Sequence, residues 1–261
     1  MKNLQKDHMN VRIYDDRAAM GAAAAQDIGD RMKKLLETRP NIRMIFASAP
    51  SQNEFLAGLA ARTDIDFSRV TAFHMDEYIG ISLDAPQAFG KFLKDRLFSK
   101  TSFGEVHYMN SAADDQETEC KRYADLLQAA PIDIAILGIG ENAHIAFNDP
   151  PVADFNDPKI VKIVELDAVC RQQQVNDGCF ATLDDVPRTA ITITCPGLMQ
   201  ANQIICIAPT PAKANAIYHT LEGEVSTQYP SSIVRTKSST LYLDPGSAQR
   251  IHEVSNMKDL G

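Results

Sequence analysis

No apolar run in the 261-residue sequence approaches the ~18 residues that a membrane span requires, so no membrane partner is expected. Met1–Asn10 is polar and lacks an apolar h-region, so no signal peptide is expected. None of the five cysteines (Cys120, Cys170, Cys179, Cys195, Cys206) forms a C-x-x-C pair. Their odd number reads as reduced, mostly buried cytosolic thiols rather than a zinc framework. Positive charge is scarce, with 26 Lys+Arg against 34 Asp+Glu and a formal charge of −8. A general nucleic-acid partner is therefore not expected, because such binding neutralises many phosphates. A small phosphorylated metabolite remains compatible, since it needs only local N–H donors and one or two cations. No internal repeat, low-complexity tract or linker interrupts a composition that is 44% hydrophobic and 23% charged. The length fits one large α/β domain over residues 1–261.

The apolar period switches repeatedly between strand and helix. Asp16 is placed to cap a helix running to about Thr38, with Ile28, Met32 and Leu35 on one face. Strands are expected at 42–47, 70–75, 132–137, 190–194, 203–208 and 240–243, with short ones at 106–109 and 160–164. Helices are expected at 53–61, 89–98, 117–129, 213–221 and 231–236. Doubly buried strands alternating with helices predict a Rossmann-like three-layer α/β domain around a mostly parallel sheet. The polar stretch from Pro150 to Pro187 breaks the pattern and is a candidate lid.

In open α/β sheets, ligands bind beyond the carboxyl ends of the strands. Four such places carry chemistry here. Ser48, Ala49 and Ser51 follow the first strand of the series as a turn able to cradle an oxyanion. Asp76 and Glu77 are adjacent carboxylates after the next, with Asp76 a candidate general base if it points into the cleft. Gly138 and Gly140 follow the most strand-like run and permit close backbone approach to a ligand. They lead into Glu141, Asn142, His144 and Asp149, where a carboxylate–imidazole–carboxylate group can tune a histidine for proton transfer. Taken alone, His144 is equally a packed histidine. Lys213 lies near a helix start, where a cation and a free N-terminus together suit a phosphate; alone it is an ordinary surface lysine. No glycine completes a dinucleotide fingerprint after Gly140.

Taken together, these segments resemble the glucosamine-6-phosphate deaminase family, which shares a fold group with the 6-phosphogluconolactonases. The similarity runs from about Phe46 to Ala248. Met75–Gly80 is similar to the family's Asp-Glu-Tyr-Val-Gly segment. Gly138–Pro150 is similar to its Gly-Ile-Gly-x-(Asp or Asn)-Gly-His-Ile-x-Phe-Asn-Glu-Pro loop, and Leu221–Ser226 to its Leu-x-Gly-x-Val-Ser turn. Tyr78 and the Phe147–Pro150 ending favour the deaminase side over the lactonases, which carry Asp-Glu-Arg and Ser-Leu-Phe-Pro there.

The resemblance implies conversion of glucosamine 6-phosphate to fructose 6-phosphate and ammonia, with no metal or organic cofactor. Asp76 would move a proton between C2 and C1. His144, supported by Asp149 and Asn142, would assist ring opening, and Lys213 would hold the phosphate. Ser48, Ala49, Ser51, Glu77, Gly138 and Gly140 would contact substrate. The implied partner is a small phosphosugar. A homo-oligomer is compatible with it, since related proteins occur as monomers and as hexamers, and a cytoplasmic location is expected.

The chain departs from the family at three places. Ala47-Ser48-Ala49-Pro50 stands where the family has Gly-Ser-Thr-Pro or Gly-Gly-Thr-Pro. Asp149 replaces Glu, and an arginine of the phosphate grip aligns near Cys179, leaving Arg171 as its candidate replacement. Two alternatives stay open. A lactone hydrolase would use His144 to activate water and need no C2 base, and a weakly catalytic sugar-phosphate sensor would follow from the altered phosphate turn.

Overall fold

The runs at 42–46, 134–137 and 203–207 are rich in Ile, Met and Leu and form neighbouring parallel strands. The computed structural model describes residues 1–261. In chain order the elements are β1 (Lys2–Lys6), β2 (Met9–Ile13), α1 (Arg17–Thr38), β3 (Ile42–Phe46), α2 (Asn53–Ala60), β4 (Val70–His74), β5 (Asp76–Tyr78), α3 (Phe89–Leu93), β6 (Glu105–His107), α4 (Gln116–Gln128), β7 (Ile134–Leu137), β8 (Val161–Glu165), α5 (Ala168–Asn176), β9 (Thr189–Ile193), α6 (Cys195–Met199), β10 (Gln203–Ile207), α7 (Ala214–Leu221), β11 (Ser239–Leu243) and β12 (Lys258–Asp259).

Nine strands form the main sheet in the order β12-β1-β2-β11-β10-β7-β3-β4-β6. From β2 to β6 every pairing is parallel, and only β1 and β12 run against their neighbours. Side chains alternate across this sheet. Met44, Phe46, Ile134, Ile136, Ile205 and Ile207 join the core beneath α1 and α2. Ile45, Ala135, Leu137, Ile204 and Cys206 join the core on the opposite face. This is the expected three-layer arrangement. From β3 the chain steps outward to β4 and β6, whereas from β7 it steps the other way to β10 and β11. The switch point therefore lies between β3 and β7, where a ligand crevice opens in such sheets.

A second sheet, β5-β9-β8, is antiparallel. The 190–194 strand expected from the sequence belongs to it, rather than to the parallel sheet. The expected helix at 89–98 is α3 followed by a π turn over Lys94–Phe98. The one expected at 231–236 is a 3-10 helix over Pro230–Thr236. The polar N-terminus folds as the β1–β2 hairpin, with Asp7 left-handed in its turn (φ 50°). The irregular stretch from 150 to 187 contains α5, which the sequence reading missed. No helix is long and apolar enough to cross a membrane.

α1 begins where Asp16 accepts a hydrogen bond from the Ala19 amide at 2.7 Å. It packs on α2 at very short range. A Cβ on Gly21 would overlap the Glu54 Cβ and lie 3.1 Å from the Glu54 carbonyl carbon, and a Cβ on Gly58 would lie 2.7 Å from the Ala25 Cβ. This contact holds α2, and the turn before it, against the sheet. Gly21→Ala should therefore destabilise the fold by about 1–3 kcal/mol through overpacking, although alanine is the better helix former by about 1 kcal/mol. Urea unfolding of the variant gives the sign, and a gain in stability would contradict this packing account.

Candidate active site

A cavity of about 490 Å³ opens over the carboxyl ends of the parallel strands at the switch point. Its wall includes Ser48, Ala49, Ser51, Asp76, Gly138, Gly140, His144 and Lys213, all singled out in the sequence. Asn142 and Asp149 stand behind His144. Glu77 and Glu141 are not on the wall.

β4 delivers Asp76. Its last residue, His74, is buried, and the His74 Nε2 accepts the Met109 amide at 2.8 Å. The chain then enters β5, where neighbouring side chains point to opposite faces. Asp76 faces the cavity. Glu77 faces away, accepting the amides of Tyr78 (3.0 Å), Phe89 (3.1 Å) and Gly90 (2.9 Å). The expectation that Glu77 binds substrate is therefore corrected. It pins the start of α3, and its acceptor capacity is already used. Burial raises the Asp76 carboxyl well above its ordinary range, and the charges of Glu77 and Asp149 push the same way. A carboxyl raised in this way is a stronger base than an exposed carboxylate.

The loop from Gly138 to Asp149 orients His144. Asn142 Nδ2 donates to Asp149 Oδ1 at 2.9 Å, which turns Asn142 Oδ1 toward the imidazole. That oxygen lies 2.7 Å from His144 Nδ1 and can only accept, so Nδ1 carries the proton. Asp149 Oδ1 is 2.9 Å from the same nitrogen. Nε2 is then the ring nitrogen without a partner in the protein. Burial opposes ionisation of Asp149, but the His144 charge and the hydrogen bonds from His144 and Asn142 outweigh it and hold the carboxyl below its usual range. A Cβ on Gly140 would fall inside the His144 ring, so only glycine fits beneath it. Ala143, where the resemblance has glycine, is left-handed at φ 65°. Its carbonyl accepts the Ser231 amide at 2.8 Å, which props the loop from behind. Glu141 does not join the histidine group. Its amide donates to Gln173 Oε1 at 2.8 Å.

Lys213 sits in a 3-10 turn (Pro211–Lys213) leading into α7. It is 7% exposed, and its ammonium makes no hydrogen bond or ion pair. Burial lowers its ammonium pKa, against the charges of Asp177 and Glu141. The turn starts at Thr210, held at φ 86° by its amide donating to both Asp244 oxygens at 3.0 and 3.1 Å. The Leu221–Ser226 turn lies outside the cavity, where Arg235 donates to the Gly223 carbonyl at 2.8 Å.

Several wall residues escaped the sequence reading: Arg17, Phe89, Arg96, Phe147, Gln173 and Gln174. Arg171, the expected replacement cation, is not among them. It donates to the carbonyls of Leu183 (2.5 Å) and Val186 (3.0 Å). The ligand-type atoms of His144, Asp149 and Cys170 lie within 4.8 Å of one another. Burial, with the nearby Asp149 charge, raises the Cys170 thiol well above its ordinary range, and a protonated thiol is a poor metal ligand.

A buried carboxyl of raised pKa, an oriented imidazole and an unpaired lysine on one cavity at this sheet edge define an α/β enzyme for small anionic metabolites. The chain belongs to the family of glucosamine-6-phosphate isomerases and 6-phosphogluconolactonase, whose model matches residues 15–243. It is 36% identical over 190 residues to a glucosamine-6-phosphate deaminase of Exiguobacterium sp., covering 72% of this chain and 73% of that one. It is 32% identical over 250 residues to a glucosamine-6-phosphate deaminase of Thermoanaerobacter sp., covering 93% and 95%. A solved monomeric glucosamine-6-phosphate deaminase superposes with TM-score 0.84 at 27% identity, over 92% of this chain and 98% of the other. A 6-phosphogluconolactonase from Thermotoga maritima shares the fold at TM-score 0.74 and 22% identity, over 90% and 99%.

Glu77 supplies a pH test of this geometry. Burial pushes its carboxyl up to about 7, against the pull of its three backbone donors. The folded state then keeps a proton that the unfolded state releases near its ordinary value of 4.5. Stability should fall as pH rises between these two values and level off above them. Asp76 acts in the same sense. Glu77→Gln, which stays neutral, should flatten this dependence and leave only the Asp76 share. Denaturant titrations from pH 4.5 to 8 read the slope; equal slopes in variant and wild type would count against a buried, strained carboxyl at Glu77.

Proposed function

We propose that this chain converts glucosamine 6-phosphate and water to fructose 6-phosphate and ammonia. The observation that carries the reading is the placement of Asp76 and His144 on one cavity with the unpaired Lys213. The named activity of the deaminase relatives supports it. The Asp149–Asn142 pair keeps the Nδ1 proton of His144 in place, so Nε2 can carry a proton from the anomeric hydroxyl to the ring oxygen as the sugar opens. Asp76 then takes the C2 proton while the C1 carbonyl accepts the electron pair and a proton from solvent, giving an enolamine. Returning the proton to C1 leaves an iminium at C2. Water adds there, and ammonia departs as the ketone forms. Lys213 holds the phosphate, with Ser48, Ala49 and Ser51 beside it. In this reading α5 is the lid of the site, because Gln173 and Gln174 reach the cavity from it.

The wild-type protein should release ammonia from glucosamine 6-phosphate. Asp76→Asn is isosteric and cannot take a proton at neutral pH, so turnover should fall by about 10²–10⁴ with KM nearly unchanged. In deuterated water the wild-type product should carry deuterium at C1. Hydrolysis of 6-phosphogluconolactone without ammonia release would overturn the proposal. Normal exchange in Asp76→Asn would move the base elsewhere.

A further inference from the structure

Three cations line the cavity: Arg17, Arg96 and Lys213. Arg17 is committed, with Nε 2.9 Å from Glu54 Oε1 and Nη2 donating to the Pro50 carbonyl at 2.7 Å. Arg96 is not. It comes from the π turn after α3, and two neighbours hold its guanidinium still. Nε donates to Asn53 Oδ1 at 2.8 Å. The guanidinium carbon lies 3.8 Å from the centroid of the Phe92 ring. Both terminal nitrogens lack any hydrogen bond or ion pair within the protein.

Asn53 is the first residue of α2 and directly follows the Ser48–Gln52 turn. Its bond to Arg96 therefore sets the guanidinium beside that turn, where Ser48 lines the cavity with its hydroxyl unpartnered. The segment Asp177–Cys179 lines the same cavity and lies within electrostatic range of two cations. Burial and Asp177 raise the Cys179 thiol while Arg96 pulls it back, and the charge of Asp177 reaches Lys213.

We propose that Arg96 is the second cation for the substrate phosphate, closing that end of the cavity together with Lys213 and Ser48. The proposal rests on the phosphosugar reading and names a residue for it. Two free N–H groups on a planar fork match the oxygens of a phosphate, and an ammonium cannot reproduce that match. Because Phe92 and Asn53 already immobilise the fork, little further side-chain entropy is lost on binding.

Titration calorimetry with glucosamine 6-phosphate, inorganic phosphate and unphosphorylated glucosamine tests this. Arg96→Ala should weaken both phosphate-bearing ligands about tenfold to hundredfold, the range for a hydrogen bond to a charged group, and leave glucosamine unaffected. Arg96→Lys should recover part of the loss. In turnover, KM should rise while kcat holds, because the contact is made equally in ground and transition states. Unchanged phosphate affinity in Arg96→Ala overturns the proposal, as does an equal loss for unphosphorylated glucosamine. The two readings fail separately. If wild type releases no ammonia yet Arg96→Ala loses phosphate affinity, the deaminase reading falls and Arg96 stands. If wild type turns over and the KM of Arg96→Ala is unchanged, only the Arg96 assignment falls.

Discussion

The proton on His144 Nδ1 is fixed by an oxygen that cannot give one, and the rest of the site is arranged around that constraint. Asn142 faces its amide nitrogen to Asp149 because a carboxylate only accepts, and its carbonyl oxygen is thereby turned to the imidazole. The loop that carries this triangle is anchored independently. Asn148 donates to the carbonyls of Ile145 (2.8 Å) and Ile193 (2.9 Å), tying the loop to β9. Ser231 ties it to the 3-10 helix behind. Ala143 and Ala146 accept left-handed backbone (φ 65° and 48°) to make the path. Strain of this kind costs about 1–3 kcal/mol per residue and persists only where surrounding structure over-determines it. Here the anchors on both sides of His144 do so.

Electrostatics of the cavity follow from which groups are already paired. The protein as a whole is acidic, at −8, and many of its cations have carboxylate neighbours, as Arg62 has Asp30 and Asp64. At the cavity only Arg17 is paired in this way. Lys213 and the terminal nitrogens of Arg96 are unpaired, and Asp76 resists ionisation. Two unpaired cations beside a carboxyl that resists ionisation favour an anion entering the cavity. The net charge of −8 opposes an approaching anion, so any attraction comes from these local groups.

Much of the fold was legible because its signals are local. Asp16 before an alanine-rich run gave the start of α1, and the short Ile-rich runs gave β3, β7 and β10. The switch-point loops followed from where those strands end. Other features depend on distant partners. The β1–β2 hairpin joins the main sheet through pairing of β2 with β11, more than 200 residues away, and the residues of β1 are mostly polar. α5 turns Cys170, Gln173 and Gln174 inward at helical spacing. Most of that inward face is polar, so a search for apolar periodicity passes over it. Arg96 looks like any helix arginine until packing of its π turn against α2 brings Asn53 alongside. Glu77 was legible in principle, because adjacent residues of a strand cannot share a face. Choosing Asp76 for the cavity settles that Glu77 points away.

The replacement of the family's Glu by Asp149 can be read together with Asn142. With Asp149 one methylene shorter than Glu, its oxygen still lies 2.9 Å from Nδ1, and Asn142 fills the remaining polar requirement of the pair. A carboxylate at 142 would remove the only hydrogen bond that Asp149 receives from that side chain. It would also set two negative charges against one imidazole in a buried pocket, where like charges raise each other's pKa. The amide avoids that repulsion while still accepting from Nδ1. Asn142 and Asp149 therefore work as one matched unit that keeps a single negative charge behind His144. Asp76, which lines the cavity together with Asp177, lies apart from that unit, although the Asp149 charge still raises its carboxyl.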